Sequence, residues 1–597
     1  MTDAPTGAPA PDPKELAAIV ADISARSQRL VEQFVRKQSA ARPAAFTDPL
    51  GLTSAFMDLT ARMIAQPEVV VKAQMDAWQG YIDLWHHATR RMLGLPSQAP
   101  VKEEPGDRRF KHDAWEDHPV FDFVKQSYLV AARTIQAMVS EVEGLDEKTA
   151  HKIDFFTRQY IDAMAPTNFA LTNPEVLAET ARTGGRNLLS GLTHMLEDLE
   201  AGEGQLRIRM TDPDAFEVGR NVARSQGRVV FQNDLMQLIQ YQPSTADVRR
   251  RPLLVMAPWI NKFYILDLQP RNSFIKWAVD QGHTVFVISW VNPDERHRDK
   301  AFEDYMFEGP LAALDAIERA TGEREVNLIG YCLGGTLLAA TLAWMTARND
   351  SRIVSATYFV TMLDFAEPGD LGVFIDEDQL RVLESEMNER GYLEGKQMAM
   401  TFNMLRANDL IWSFVINNYL MGKEPFPFDL LAWNSDSTRM PAKMHGWYLR
   451  NMYQKNLFRE PGGVSIGGVP IDLSTVHTPS YFVSTREDHI APWKSTYAGA
   501  RLFSGPVRFT LGMSGHIAGI VNPPNAKKYG YWTRDGVAEA EPEAWLAAAE
   551  EHAGSWWSDW DAWVSQFSGG SVPARQPGAG ALAIIEDAPG SYVKIKS

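Results

Sequence analysis

Cysteine is almost absent from this chain: of 597 residues, only Cys332 is one. An intramolecular disulfide and a cysteine-ligated zinc site are therefore excluded, and the usage fits a reducing compartment. Basic charge is also scarce, with 59 Lys and Arg against 75 Asp and Glu and a net charge of −16. A chain this acidic is a poor general binder of nucleic acid, so an anionic substrate would have to meet a local basic patch. No apolar run of about 18 residues occurs, so no membrane span is expected. The opening MTDAPTGAPAPDPKE has no apolar stretch of the signal-peptide kind. Phosphate loops and dinucleotide fingerprints are missing too. No metal or cofactor is therefore expected, and a nucleotide-bearing substrate has no sequence-marked pocket. Arg249, Arg250 and Arg251 are basic candidates no better than many others.

What is present is an ordinary globular composition, 45% hydrophobic and 22% charged. Residues 1–14 are Pro/Ala-rich and are expected to be disordered. From there to about residue 212 the apolar period is helical, which predicts an all-helical N-terminal domain over 1–212. The pattern then changes. Short β-branched runs such as RPLLVMAP, HTVFVISW, EVNLIGY and PSYFVSTRED alternate with helical segments through 213–597. Near-continuous apolar strands separated by helices predict an α/β class with a parallel sheet covered on both faces. The alternation lapses between about 365 and 476, a Met-, Phe- and Trp-rich stretch read as a cap or lid inserted into that sheet. A Gly/Pro-rich tail runs from about 568 to 597. The Trp cluster GSWWSDWDAWVSQF, 554–567, reads as core packing or, less simply, as a surface for an apolar polymer.

The single cysteine falls in NLIGYCLGGTLLA, Asn327–Ala339. This is the G-x-S-x-G strand–turn–helix elbow with a thiol in place of the hydroxyl, a lipase-like box. The turn needs small neighbours, which Gly330, Gly334 and Gly335 supply. The following TLLAATLAWMTAR forms a helix whose N-terminus points at Cys332 and favours the thiolate. Such elbows belong to the α/β-hydrolase fold, with catalytic groups in the chain order nucleophile, acid, histidine. Five of the 13 histidines follow Cys332: His445, His477, His489, His516 and His552. His516, in the loop FTLGMSGHIAGIVNPP after a late strand, is the expected base. His477 lies at the wrong end of its strand, and His552 in an Ala/Glu-rich helix. Asp488, in YFVSTREDHIAPW, is the expected acid, ahead of Asp472 and Asp436; it orients His516 or assists deprotonation of an attacking hydroxyl. His489 beside it orients the site or is structural. The oxyanion donors are expected at the Leu333 N–H and at Ile260 in LLVMAPWINKFYILDL, with Trp259 or Asn261 serving equally.

From about residue 107 onward these segments resemble the polyhydroxyalkanoate synthases of the class I type. DRRFKHDAWEDHP, PTNFALTNPEV, PWINKFYILDLQP, GHTVFVISWVNPD, GYCLGGTL, REDHIAPW and GHIAGIVNPP occur in the family's order. The resemblance places the family's triad on Cys332, Asp488 and His516 and puts His489 near the site. Asp267, in YILDLQP, matches an aspartate common in the family and reads as structural. The resemblance implies an acyltransferase that joins (R)-3-hydroxyacyl units, 3-hydroxybutyryl-CoA in the short-chain case, into a polyester. Coenzyme A is then a leaving group rather than a cofactor. It also implies a homodimer and a cytoplasmic enzyme working on the nascent chain at polyester granules. A thiol suits such chemistry. Exchange from CoA sulfur to cysteine sulfur is near thermoneutral, and the acyl-cysteine stays activated for attack by a 3-hydroxyl.

Two other readings share these residues. A cysteine-elbow hydrolase, such as a thioesterase or a dienelactone-hydrolase-like enzyme, would give free acid and would not require the helical region or the insertion. A non-catalytic granule-associated protein would not require an intact Cys/Asp/His set. Whether elongation uses one cysteine or two from a dimer is open in the sequence.

Overall fold

The computed structural model describes residues 18–30 apart from 20, and 51–597 apart from 105 and 213. The stretch 1–14 expected to be disordered lies outside the described residues. The chain divides into two compact units, one of residues 1–213 with 402–427, the other of 214–401 with 428–597.

The helical unit contains α1 (Leu52–Ala65), α2 (Pro67–Met92), α3 (Pro119–Ser140), α4 (Glu147–Ala163), α5 (Pro174–Thr183) and α6 (Arg186–Ala201). Its helix ends follow local rules. Asp146 caps α4 by accepting from the Thr149 N–H, and α5 stops at Gly184, whose φ of 62° is left-handed. Residues 402–427, expected to belong wholly to a cap, are packed into this unit. Tyr419 donates its hydroxyl to buried Asp198 at 2.6 Å, and Asn187 Nδ2 donates to the Leu420 carbonyl at 2.8 Å. Gly191 makes the approach possible, since a Cβ there would sit 1.8 Å from the Tyr419 oxygen.

The second unit is built on an 11-stranded sheet. Its strands are β1 (Gly227–Gln232), β2 (Met236–Tyr241), β3 (Leu253–Met256), β4 (Val285–Trp290), β5 (Val326–Tyr331) and β6 (Ile353–Phe359), followed by β7 (Ser480–Thr485), β8 (Val507–Gly512), β9 (Gly530–Asp535), β10 (Glu550–Ala553) and β11 (Glu586–Asp587). The order across the sheet is β10-β9-β8-β7-β6-β5-β3-β4-β2-β1-β11. The run from β4 to β8 is parallel. Its strands are buried almost throughout, as two covered faces demand. The carboxyl ends of β3, β5, β7 and β8 therefore share one edge, where α/β sheets carry their sites. The tail is tied in rather than loose: β11 pairs with β1, and Ser571–Pro573 pairs with Asp247–Arg249.

The Trp cluster is core. Trp556, Trp557 and Trp560, on or beside α7 (Trp557–Ser565), are fully buried and pack around Phe274. Their indole N–H groups donate to the carbonyls of Gly519 and Ile520 and to Thr357 Oγ1. The polymer-surface reading therefore fails for these three rings. Trp556 and Trp557 hold the loop that follows His516.

Among the described residues, no helix is long and apolar enough to cross a membrane.

Candidate active site

Cys332 follows β5 directly and precedes the helix Leu333–Ala347. Its backbone is left-handed, φ 51° and ψ −117°, a conformation that costs a non-glycine residue about 1–3 kcal/mol. Three backbone hydrogen bonds hold it. The Cys332 N–H donates to the Phe359 carbonyl at 2.8 Å, and its own carbonyl accepts from Gly335 and Thr336. The glycines are required by space. A Cβ on Gly334 would lie 2.2 Å from the Met256 oxygen, and one on Gly335 would lie 1.9 Å from Thr361 Oγ1. The turn therefore presents the half-exposed thiol above the carboxyl edge of the sheet.

Asp488 and His516 come from the ends of β7 and β8 at the same edge. His516 Nδ1 lies 2.7 Å from Asp488 Oδ2. The other carboxylate oxygen accepts from the N–H groups of Ile490 and Ala491, both at 2.8 Å. With Nδ1 on Asp488, Nε2 is the ring nitrogen left to serve Cys332, whose sulfur is near enough to act on the imidazole. Burial alone would lower the His516 pKa. The Asp488 carboxylate and the Cys332 sulfur outweigh it and push the imidazole up to about 10. The Tyr331 hydroxyl donates to the His516 carbonyl at 3.3 Å and steadies the loop.

The first helical N–H after the nucleophile, that of Leu333, has no intrahelical acceptor by its position. The Ile260 N–H, in the loop after β3, has no hydrogen-bond acceptor among the described residues. Loop and elbow are in contact, as the close approach of Gly334 to the Met256 and Ala257 carbonyls requires. His489 is half-buried in the same turn as Asp488.

The N-terminal part of the chain, residues 106–278, matches the family described as poly-beta-hydroxybutyrate polymerase (PhaC) N-terminus. Residues 261–523 match the alpha/beta hydrolase fold. Three curated relatives are similar over most of their length. A poly(3-hydroxyalkanoate) polymerase subunit PhaC of Rhizobium meliloti (strain 1021) is 48% identical over 98% of this chain and 96% of its own. A poly(3-hydroxyalkanoate) polymerase of Methylorubrum extorquens is 52% identical, covering 89% of this chain and 88% of its own. A PhaC subunit of Cupriavidus necator is 44% identical over 82% of this chain and 83% of its own. The chain belongs to the poly(3-hydroxyalkanoate) polymerase family. It is an acyltransferase-type enzyme on an α/β-hydrolase fold.

In this family member the other sequence candidates have separate duties. Asp436 pairs with Lys262 at 2.6 Å, and Asp472 caps a turn at Ser474. His445 is buried inside the helix Ala442–Tyr448, where desolvation pushes its pKa down to about 4. His552 is not helical. It lies in β10, stacked on Tyr531 and bonded to Thr533, because the helix Pro542–Ala548 ends just before it. Asp267 is buried and accepts from the hydroxyls of Ser225 and Ser273, in keeping with its reading as structural. Arg249, Arg250 and Arg251 precede β3, at the opposite edge from Cys332, and pair with Asp561, Glu323 and Glu325. They are poorly placed to hold a substrate reacting at the thiol.

Sequence reasoning missed a pair of tyrosines. Tyr448 and Tyr453 pack edge to face, ring centroids 5.8 Å apart, and both feel the Cys332 charge. Burial first, and that charge second or third, hold both phenols well above their usual range, so they remain protonated donors at neutral pH. No motif marks them. They come from the aromatic-rich insertion, where one ring reads like another.

Proposed function

We infer that this chain polymerises (R)-3-hydroxyacyl-CoA through a covalent acyl-Cys332 intermediate with release of CoA. The observation that carries the reading is the His516–Asp488 pair, 2.7 Å apart, at the sheet edge where the elbow presents Cys332. His516 takes the thiol proton, and its imidazolium is retained by Asp488. The thiolate attacks the thioester carbonyl, and the Leu333 and Ile260 N–H groups face the developing oxyanion. The C–S bond to CoA breaks, and His516 returns its proton to the CoA sulfur. A 3-hydroxyl then attacks the acyl-cysteine. His516, oriented by Asp488, accepts the hydroxyl proton and Cys332 leaves. Each cycle exchanges a thioester for a more stable oxygen ester, which drives growth. Coenzyme A is consumed as a leaving group, and no step calls for a metal or a further cofactor.

The preference for a short acyl chain, the homodimer and work at a granule surface belong to the same proposal. Support for a surface role comes from α2. Val71, Met75, Trp78, Trp85 and Met92 form one stripe along it, and Trp78 and Trp85 are 70% and 69% exposed.

The test is product analysis with (R)-3-hydroxybutyryl-CoA. The reading expects CoA release together with insoluble polyester. CoA release that yields only 3-hydroxybutyric acid would replace it with a thioesterase.

A further inference from the structure

The loop that offers the second oxyanion donor is held from the insertion rather than from the sheet alone. Three carbonyls along it are engaged. Trp290 Nε1 donates to the Ala257 oxygen at 2.9 Å, and Thr438 Oγ1 donates to the Trp259 oxygen at 2.7 Å. Trp433 Nε1 donates to the Lys262 oxygen at 2.8 Å. Side chains complete the clamp: the Asp436 carboxylate takes Lys262 Nζ at 2.6 Å on one oxygen and the Tyr264 hydroxyl at 2.9 Å on the other. Thr438 and Lys262 are buried, 4% and 5% exposed, so these bonds face little competition from water.

The Thr438 contact has a specific consequence. A peptide unit is planar and trans, so the carbonyl of Trp259 and the N–H of Ile260 point in opposite directions in one plane. Fixing the Trp259 oxygen fixes the direction of the Ile260 N–H. That N–H is the donor without an acceptor next to the elbow.

We propose that Thr438 is a positioning residue that aims the Ile260 N–H at the acyl oxygen on Cys332, with Asp436 anchoring the loop through Lys262 and Tyr264. The proposal rests on the acyl-cysteine reading above. It makes the insertion a working part of the oxyanion site, so the 433–438 segment and acyl transfer are coupled.

The lone cysteine allows a clean test. Alkylation of Cys332 by iodoacetamide needs the thiolate but develops no oxyanion, whereas acylation needs both. Thr438→Val keeps the shape and removes the hydroxyl. Its single-turnover acylation by (R)-3-hydroxybutyryl-CoA should fall about tenfold to a hundredfold, below the loss for deleting an oxyanion donor outright. Iodoacetamide alkylation and its pH profile should stay within about twofold, since sulfur and imidazole are untouched. Thr438→Ser should restore acylation. Asp436→Asn should show the same split and serves if the valine variant does not fold. Acylation at the wild-type rate in Thr438→Val, or parallel loss of acylation and alkylation, would overturn the proposal. p-Nitrophenyl butyrate, run alongside, acylates the thiol without CoA recognition. If the wild type reacts with it but not with the CoA thioester, the functional reading fails while the positioning role is still decided by the same comparison.

Discussion

Replacing Asp488 by Asn tests the electrostatics of the site most sharply. The amide oxygen can still accept from Ile490 and Ala491, the two N–H bonds that hold the turn. Its NH2 group then faces His516 Nδ1, where the native carboxylate accepts at 2.7 Å. The ring must turn its lone pair to that NH2, which puts the proton on the nitrogen facing Cys332 and leaves no base there. The energy follows from the same contact. The interval between the ordinary imidazole value of 6.5 and about 10 corresponds to about 5 kcal/mol. That interval is what remains after burial has lowered the group, and Asp488 heads the causes that raise it. About 3 kcal/mol, or a hundredfold in rate at neutral pH, is therefore the loss expected for Asp488→Asn. The assay is the rate of iodoacetamide alkylation of Cys332 against pH, read by intact mass, with CoA release in parallel. The wild type should alkylate at a rate nearly flat across neutral pH. The variant should be slow at pH 7 and gain steadily with rising pH. A variant whose alkylation matches the wild type at pH 7 would refute the role given to Asp488.

Three further outcomes are expected. Gly334→Ala forces a Cβ to 2.2 Å from the Met256 oxygen, backbone that cannot swing aside; a loss of about 1–3 kcal/mol or more in urea unfolding is expected, with CoA release abolished. His445 is held neutral, with its pKa moved from 6.5 down to about 4. Its contribution is therefore present above pH 6.5 and is lost as pH falls towards 4, by roughly 3 kcal/mol in all; His445→Leu should flatten that acid arm of the stability profile. Trp557→Ala removes a buried ring and the indole N–H on the Ile520 carbonyl; about 3–5 kcal/mol of stability should go, and kcat should fall further than KM changes because the His516 loop loosens.

How much of this was legible in the sequence depended on whether the signal was local. The elbow is a short run whose glycines sit at fixed spacing about the nucleophile, so Gly330 to Gly335 announce it although Gly334 and Gly335 answer to the distant Met256 and Thr361. Asp488 and His516 stand at strand ends in an order fixed by the fold, and the structure sets them 2.7 Å apart at the edge where the elbow lies. The Trp cluster was ambiguous because an aromatic stripe has the same period whether it faces core or solvent. His552 was misread because Ala and Glu favour a helix, while pairing with β9 fixes it as a strand. The membership of 402–427 in the helical unit had no local signal at all. It depends on Gly191 meeting Tyr419 and on Asp198 receiving its hydroxyl, over 200 residues apart in sequence. The bond from Thr438 to Trp259, 179 residues apart, was hidden for the same reason.

The central claim is that Cys332 carries the acyl group. Brief incubation with (R)-3-hydroxybutyryl-CoA, acid quench and peptide mass analysis tests it directly. The account predicts a hydroxybutyryl or oligomeric ester mass on the Cys332 peptide of the wild type, and neither adduct nor CoA release in Cys332→Ala. CoA release and polymer from Cys332→Ala, or from a wild type whose Cys332 is never modified, would contradict it.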